Sequence, residues 1–318
     1  MTEPSLKRGA LCWNQYTDWP SLLEAGRRAD RLGFDSLWTW DHLYPIVGDE
    51  HGPIFEGYLA LAAWAQATER ATVGLMVGAN PFRNPALTAK MATTLDHISG
   101  GRAYLGVGGA WFESEHRGFG LEFGASPGER LRWLAEALPV MSGMLRGEES
   151  SATGPRYSVR DVRNDPPPLQ RRLPLLVGGG GEKVTLKLVA RFADANNVGG
   201  GIDNVRRKEE ILRQHCAAVG RDESEIERTA NLGPLIIRNT REEALDALRT
   251  IFAANGGAQT WSSRTPDQQP LGPPEAIAEI LAPYLELGYR HLIAGFPAPY
   301  DEETMVRLAE EVRPLLAG

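Results

Sequence analysis

A histidine follows a short apolar segment near the start of the chain. Trp40, Asp41 and His42 come at the end of the segment that begins at Phe34. If this segment is a barrel strand, His42 points into the barrel mouth, where an imidazole can donate to a cofactor ring or move a proton. The alternative is a histidine of an ordinary surface loop. The other histidines do not follow a strand in this way and do not have the spacing of paired metal ligands, so we predict no metal site. They are His51, His97, His116, His215 and His291.

Two glycine-rich turns follow other apolar segments. One runs from Gly106 to Gly109 and leads into Ala110 and Trp111, and the other runs from Gly178 to Gly181. Glycine lets backbone N–H groups approach a phosphate, and a helix that starts there adds positive potential. Glycine also serves tight turns, but two such turns on one barrel face favour a phosphorylated cofactor. Neither turn is a Walker loop or a spaced dinucleotide fingerprint. The candidate contacts are Gly108, Gly109, Gly178, Gly179 and Gly180.

Aromatic side chains are concentrated near the same segment ends. Some of them must pack the interior, but Trp111 lies in a glycine-rich turn, where it can stack on a ring or enclose a substrate. Trp13, Tyr44 and Trp111 are therefore candidate substrate contacts. The chain has no Gly-x-Ser-x-Gly elbow, so nothing supports acyl transfer.

A repeated unit has to position these residues. Residues 19–40 read as an amphipathic helix, a glycine turn at Gly33 and an apolar strand, and the same pattern recurs at 284–293. Alternating helices and near-continuous apolar strands indicate a parallel sheet, and eight such units predict a closed (β/α)8 TIM barrel. The predicted strands are 8–13, 34–40, 72–79, 103–107, 173–177, 193–198, 229–237 and 290–295.

We expect one domain over residues 1–318 with insertions on the active-site face. The segments 108–127 and 238–272 follow strands, so both should lie at the C-terminal ends of the strands, where barrels build their sites. Within the second segment, residues 256–268 are predicted to form a lid. The segment 148–172 precedes a strand and is expected at the opposite end of the barrel, away from the chemistry.

The composition excludes several function classes. The 318 residues are 42% hydrophobic and 24% charged, as in an ordinary globular protein with a core. A net charge of −7 is unfavourable for binding a nucleic acid backbone. Two distant cysteines, Cys12 and Cys216, argue against a disulfide framework or a zinc site. The polar N-terminus and the absence of a membrane-length apolar run predict a soluble, cytoplasmic protein with no membrane partner.

Taken together, several stretches resemble the bacterial luciferase-like superfamily, which includes flavin monooxygenases and deazaflavin-dependent oxidoreductases. The resemblance covers most of the chain, and its stretches occur in order. They are residues 29–38 with Asp41-His42, 74–85, 100–108, 177–181 with Ala193-Asp194, and Leu287-Gly288-Tyr289.

This resemblance implies a flavin or deazaflavin at the barrel mouth, with His42 contacting the ring or acting as the catalytic group. It implies a non-proline cis peptide near Met76-Val77, against which the ring bends, and phosphate contacts at Gly178 to Gly180. Asn14 and Gly78 complete the candidate cofactor contacts.

Asp41-His42 and the turn at 108–111 are most similar to the deazaflavin (coenzyme F-420) branch. In that branch, the sugar-phosphate dehydrogenases place a glutamate acid where this chain has Trp111, and a tryptophan near the position of Ile46. Their chemistry is therefore not carried over, and the substrate stays open.

Three functions remain. The first is hydride transfer between a deazaflavin and a small organic substrate. The second is a monooxygenase that uses reduced FMN supplied by a separate reductase. The third is a barrel that binds a ligand without turnover. We also expect a homodimer.

Overall fold

Eight parallel strands close into a barrel in the computed structural model, which describes residues 6–257 and 269–316. The strands follow one another around the barrel in the order β3-β2-β1-β13-β10-β9-β8-β5, and β5 pairs back onto β3. The predicted (β/α)8 barrel is therefore confirmed. The barrel strands are β1 (Lys7–Cys12), β2 (Ser36–Thr39), β3 (Thr72–Leu75) continued by β4 (Gly78–Ala79), β5 (Ala103–Gly108), β8 (Leu175–Gly178), β9 (Ala195–Gly199), β10 (Glu227–Pro234) and β13 (His291–Phe296).

Short strand pairs and a layer of helices surround the barrel. Outside it, β6 (Ser150–Thr153) pairs antiparallel with β7 (Ser158–Val162), and β11 (Ile236–Ile237) pairs with β12 (Leu271–Gly272). The helices are α1 (Trp19–Arg31), α2 (Gly57–Ala67), α3 (Pro85–Ser99), α4 (Glu113–Gly118), α5 (Pro127–Met144), α6 (Thr185–Phe192), α7 (Ile202–Val219), α8 (Arg241–Ala254), α9 (Pro274–Glu286), α10 (Glu302–Arg307) and α11 (Arg313–Leu316), with a π-helical turn at Leu308–Val312. No helix in residues 6–257 or 269–316 combines the length and apolar content that crossing a membrane requires.

Helix α1 shows how the sequence builds this outer layer. Asp18 caps it by accepting the N–H of Ser21, and its apolar stripe is buried against the barrel. A Cβ on Gly26 would overlap the indole of Trp64, so glycine allows α1 and α2 to pack closely at this point. The indole N–H of Trp64 donates to the carbonyl of Leu22 at 3.0 Å, which joins the two helices.

The barrel interior is filled by side chains that alternate along the strands. On β2 and just beyond it, Ser36, Trp38 and Trp40 all point inward, from the base of the barrel to its mouth. Trp38 is fully buried, and a Cβ on Gly74 would come within 2.6 Å of its ring, so glycine on β3 makes room for the indole. The barrel is therefore a packed core below its mouth, not a channel.

A polar cluster closes the base of the barrel. Ser36 Oγ lies 2.6 Å from His291 Nε2, and His291 Nδ1 lies 3.2 Å from Glu227 Oε1. Glu227 also accepts hydrogen bonds from Tyr104 OH at 2.8 Å and from Lys7 Nζ at 2.7 Å. Ser36 and His291 are buried, so this serine–histidine–glutamate chain has no access to a substrate and joins strands instead.

The segment 148–172 differs from expectation. Its hairpin turn reaches back along α5, where the N–H groups of Arg156 and Tyr157 both donate to Glu136. Arg156 also pairs with Glu122, which belongs to the insertion after β5. The expectation that this whole segment lies away from the active-site face is therefore wrong for its turn.

The insertion 238–272 contains a helix that the sequence analysis missed. Thr240 and Glu243 form a reciprocal capping box at the start of α8. Phe252 of α8 stacks on Trp13 with ring centroids 6.1 Å apart, so this helix covers part of the barrel mouth. The predicted lid at 256–268 lies outside the described residues apart from its first two glycines.

Candidate active site

A cavity of about 490 Å³ opens at the C-terminal ends of β2, β4, β5 and β8. It is where the sequence analysis expected chemistry, since parallel strands direct their carboxyl ends to one face. Nine of the predicted site residues line it: His42, Met76, Val77, Gly78, Gly108, Gly109, Trp111, Gly178 and Gly179.

The other four predicted residues do not line this cavity. Asn14 is fully buried and donates its amide to the carbonyls of Trp40 and Phe55. Trp13 lies behind Trp40, with ring centroids 4.6 Å apart. Tyr44 packs on Phe119 at a centroid distance of 5.4 Å. Gly180 lies farther along its turn, next to Lys208. Roles for these four in binding stay predictions.

The peptide bond between Met76 and Val77 is cis, as the resemblance implied, and it forms the back of the cavity. A Cβ on Gly178 would lie 2.8 Å from both methyl groups of Val77, and one on Gly108 would lie 2.8 Å from one of them. These two glycines therefore make a slot for the Val77 side chain. Close approach of a phosphate is not needed to explain them.

Asp41 fixes the end of β2 to the turn after the cis peptide. Its Oδ2 accepts the N–H of Ala79 at 2.9 Å, and Arg83 donates to both carboxylate oxygens at 2.7 and 2.8 Å. Burial raises the pKa of Asp41, and the charge and hydrogen bonds of Arg83 act in the opposite direction. Because Asp41 is fully engaged in this way, it orients the strand end that carries His42 and does not react itself.

His42 is held by a carboxylate that the sequence analysis did not select. Glu115, from α4, places Oε1 2.9 Å from His42 Nδ1, and its Oε2 accepts the N–H of Leu43 at 2.7 Å. The Glu115 side chain is only 1% exposed. A carboxylate acceptor places a proton on Nδ1, so Nε2 is the ring nitrogen left for a ligand in the cavity.

Helix α6 contributes Thr185 to the lining of the cavity. Thr185 is the first residue of this helix, and it is buried. The N–H groups of a first helical turn lack partners within the helix and favour anions, although the N–H of Leu186 already donates to the carbonyl of Gly181 at 3.0 Å. The N–H of Gly179 donates to the carbonyl of Asn197 at 3.0 Å, so this N–H is already engaged, and a cofactor contact of Gly179 stays a prediction. Its left-handed backbone, with φ of 112°, shapes the turn.

Sequence signals could have found some of these residues but not others. Glu115 and Thr185 lie in segments that follow strands. Because barrel enzymes build their sites from such segments, the sequence indicates the loops in which these two residues occur. Nothing in the sequence favours Glu115 over Glu113, because only the direction of α4 brings one of them to His42. Among the described residues, no group of three or more histidine, cysteine or acidic side chains is arranged to hold a metal ion.

Residues 6–295 match the family model of the luciferase-like monooxygenases. The chain belongs to this family. It is 28% identical to an F420-dependent glucose-6-phosphate dehydrogenase of Microbacterium testaceum, over 93% of both chains. It is also 28% identical to an FMNH2-dependent dimethylsulfone monooxygenase of Pseudomonas putida, over 71% of this chain and 60% of the relative.

The fold is shared with solved structures of other enzymes. A solved F420-dependent secondary alcohol dehydrogenase superposes with a TM-score of 0.82 at 20% identity, covering 98% of this chain and 99% of the other. At this identity the superposition shows the fold alone. The family match confirms the resemblance found in the sequence and the prediction that the chain is an oxidoreductase of the luciferase-like type.

Proposed function

We propose that this chain transfers hydride between a deazaflavin and a small organic substrate in the cavity at the barrel mouth. The observation that carries the proposal is the arrangement of His42, held by Glu115, in front of the cis Met76-Val77 peptide. Similarity to F420-dependent dehydrogenases over 93% of the chain supports the deazaflavin.

The residues present fit such a cofactor. Gly78, Gly108 and Gly109 give the cavity a floor without side chains next to Val77, which suits a flat ring. Thr185 and the first turn of α6 suit a phosphate group. When bound, the deazaflavin supplies the two-electron carrier that takes or gives the hydride.

The chain itself supplies the proton transfer and the orientation. In alcohol oxidation, His42 Nε2 accepts the hydroxyl proton as the C–H bond releases its hydride, and in carbonyl reduction it returns that proton. Glu115 keeps the ring oriented, and Trp111 packs against His42 with ring centroids 5.5 Å apart. Trp40 and Trp111 form an aromatic wall of the cavity, which limits access of water to the reacting atoms.

The second candidate is an oxygen-activating monooxygenase that uses reduced FMN from a partner reductase. The dimethylsulfone monooxygenase relative supports it, and the same cavity would hold the FMN ring and phosphate. The two functions differ in which cofactor binds and in whether oxygen is consumed.

Fluorescence titration of the pure chain with both cofactors tests the proposal. We expect tighter binding of the deazaflavin than of FMN. Tight FMN binding without detectable deazaflavin binding would favour the monooxygenase.

Replacing His42 with alanine should lower turnover by ~10²-fold or more and leave cofactor affinity within a few-fold, as expected for a general acid–base group.

A pair of variants tests the phosphate site. Thr185→Val removes the hydroxyl at nearly constant volume and should weaken cofactor binding about 10-fold, while Thr185→Ser should bind almost as well as the parent. Equal affinity in all three proteins would move the phosphate away from α6. This pair separates binding from folding better than a change at Gly179, where φ of 112° strains any side chain.

A further inference from the structure

We propose that the substrate of this site is uncharged and largely apolar, and that phosphorylated or carboxylated compounds are excluded. The inference rests on the proposed function for the identity of the redox cofactor. The charge selection itself follows from the walls of the cavity.

Apart from the first turn of α6, where we propose that the cofactor phosphate binds, the described residues of the cavity offer an anionic substrate no cationic side chain. Within residues 6–257 and 269–316, no lysine or arginine lines it, whereas two carboxylates do, those of Asp41 and Glu115. An anionic substrate would leave water and meet carboxylate oxygens with no free cation beside them among the described residues, because Arg83 is already paired with Asp41. Burying a charge without a partner is strongly unfavourable, so such a wall rejects anions.

Two arginines lie just behind the wall, but both are engaged elsewhere. Arg83 donates to both oxygens of Asp41 and also to Glu56 at 3.1 Å. Arg130 is buried, with its Nε donating to the carbonyl of Ala110 at 3.3 Å and its guanidinium 3.8 Å from the ring centre of Phe123. Arg83 balances the charge of Asp41, but neither guanidinium lines the cavity, so neither offers a free cation to a substrate.

The remaining walls favour apolar compounds. Trp40, Met76, Ile46 and Leu131 present aromatic and aliphatic surface around the mouth. Trp111 is 58% exposed and stacks on Phe112, so its indole offers further apolar area to a bound molecule. Burial of apolar surface favours a neutral compound with a hydrocarbon body, while His42 binds its single oxygen.

The similarity to glucose-6-phosphate dehydrogenases does not extend to their substrate. Glucose 6-phosphate is a dianion near neutral pH and needs cations at its phosphate. The wall described above has none, and Asn231, a neutral side chain, is what β10 contributes to it.

A matched pair of probes tests the inference: cyclohexylmethanol and cyclohexanecarboxylate share a ring and differ in charge. Calorimetry with the full chain, saturated with deazaflavin, should show binding of the alcohol and at least ~10-fold weaker binding of the carboxylate and of glucose 6-phosphate. Equal or tighter binding of either anion would overturn the proposal, and so would no binding of the alcohol up to its solubility limit.

A variant that adds a positive charge to the cavity tests whether anion binding can be gained. Ile46→Lys brings an ammonium group to the cavity and should tighten glucose 6-phosphate binding at least ~10-fold, while Ile46→Met, of similar length and no charge, should not. If the methionine variant gains as much as the lysine variant, charge is not what excludes the anion.

The deazaflavin titration separates this inference from the proposed function. If the deazaflavin fails to bind, the proposed function fails, and the same probe pair is then measured on the chain alone. A preference for the alcohol there still supports the charge selection, and its absence overturns it.

Discussion

At the scale of single residues, the pairing of His42 with Glu115 decides which ring nitrogen faces the cavity. The two residues are 73 positions apart, and the 2.9 Å contact between them is partly buried, with the Glu115 side chain only 1% exposed. Glu115 also accepts the N–H of Leu43, so it fixes both the imidazole and the backbone that carries it. We therefore treat Glu115 as a positioning residue that acts through His42.

Glu115→Gln should lower turnover about 10-fold or more with little change in cofactor affinity, because the amide no longer selects one tautomer. The ¹⁵N spectrum of the His42 ring should show a changed ratio of the two tautomers, a signature that a purely structural role would not give. Glu113→Gln is the matched control, since Glu113 lies on the same short helix, is half exposed and pairs with Arg117. Indistinguishable turnover and spectra for the two variants would contradict this role.

At the scale of elements, the Val77 slot connects three strands at the back of the cavity. Gly108 ends β5 and Gly178 ends β8, and both lack the side chain that would strike Val77. The sequence analysis assigned these glycines to the cofactor phosphate. Both glycines also leave room for Val77 of the cis segment at the back of the cavity, and their contact with a phosphate stays a prediction.

Gly178→Ala should destabilise the fold by about 1–3 kcal/mol, since the added methyl overlaps Val77 in a packed interior. Adding Val77→Ala should recover part of that loss, because the two changes share one contact. Gly199→Ala at the end of β9 is the control, since a Cβ there meets nothing within 4 Å. Chemical denaturation is measured on the parent, Gly178→Ala, Val77→Ala, the double variant and the control, and strictly additive effects of the two changes would show that the slot does not exist.

At the scale of the whole molecule, the polar cluster at the base sets a pH dependence. Burial alone would raise the pKa of Glu227, but hydrogen bonds and charges from His291 and Lys7 lower it to about 2. A folded-state pKa below the unfolded value contributes stability above that unfolded value, and the contribution is lost as pH falls. The window lies between about pH 4.5 and pH 2.

Glu227→Gln should therefore reduce stability at neutral pH by at most on the order of 3 kcal/mol, and the variant should lose less stability than the parent on acidification through this window. Denaturation at a series of pH values measures both slopes. Parallel slopes for the variant and the parent would rule out Glu227 as the titrating group.

We propose that two copies of the chain form a homodimer through α2 and α3. Leu59 is 73% exposed and Leu87 is 52% exposed on these neighbouring helices, and the sequence of α2 is apolar on most of its faces. We expect light scattering to give twice the chain mass. Leu59→Glu should shift the protein toward monomer, while Leu169→Glu, at a similarly exposed leucine elsewhere, should not. A parent that is monomeric at all concentrations would exclude the dimer.

The sequence by itself determined the barrel, because each βα unit carries its own signals in neighbouring residues. All eight predicted strands overlap observed ones, and the match holds even where β3 is interrupted at the cis peptide. His42 and Trp111 were placed at the mouth for the same reason, since each directly follows a strand. Helix α8 was missed although Thr240 and Glu243 carry a capping signal in the printed sequence.

Only the tertiary structure decided which groups meet at the mouth. The partner of His42 depends on how α4 crosses the barrel, and the role of Gly178 depends on a side chain of another strand. The charge of the cavity wall likewise comes from Asp41, just after β2, and Glu115 of α4, which only the packing brings together. The spacing of residues along the chain predicts helices, strands and turns. Contacts between residues that are far apart in the sequence depend on tertiary packing, which no local sequence pattern predicts.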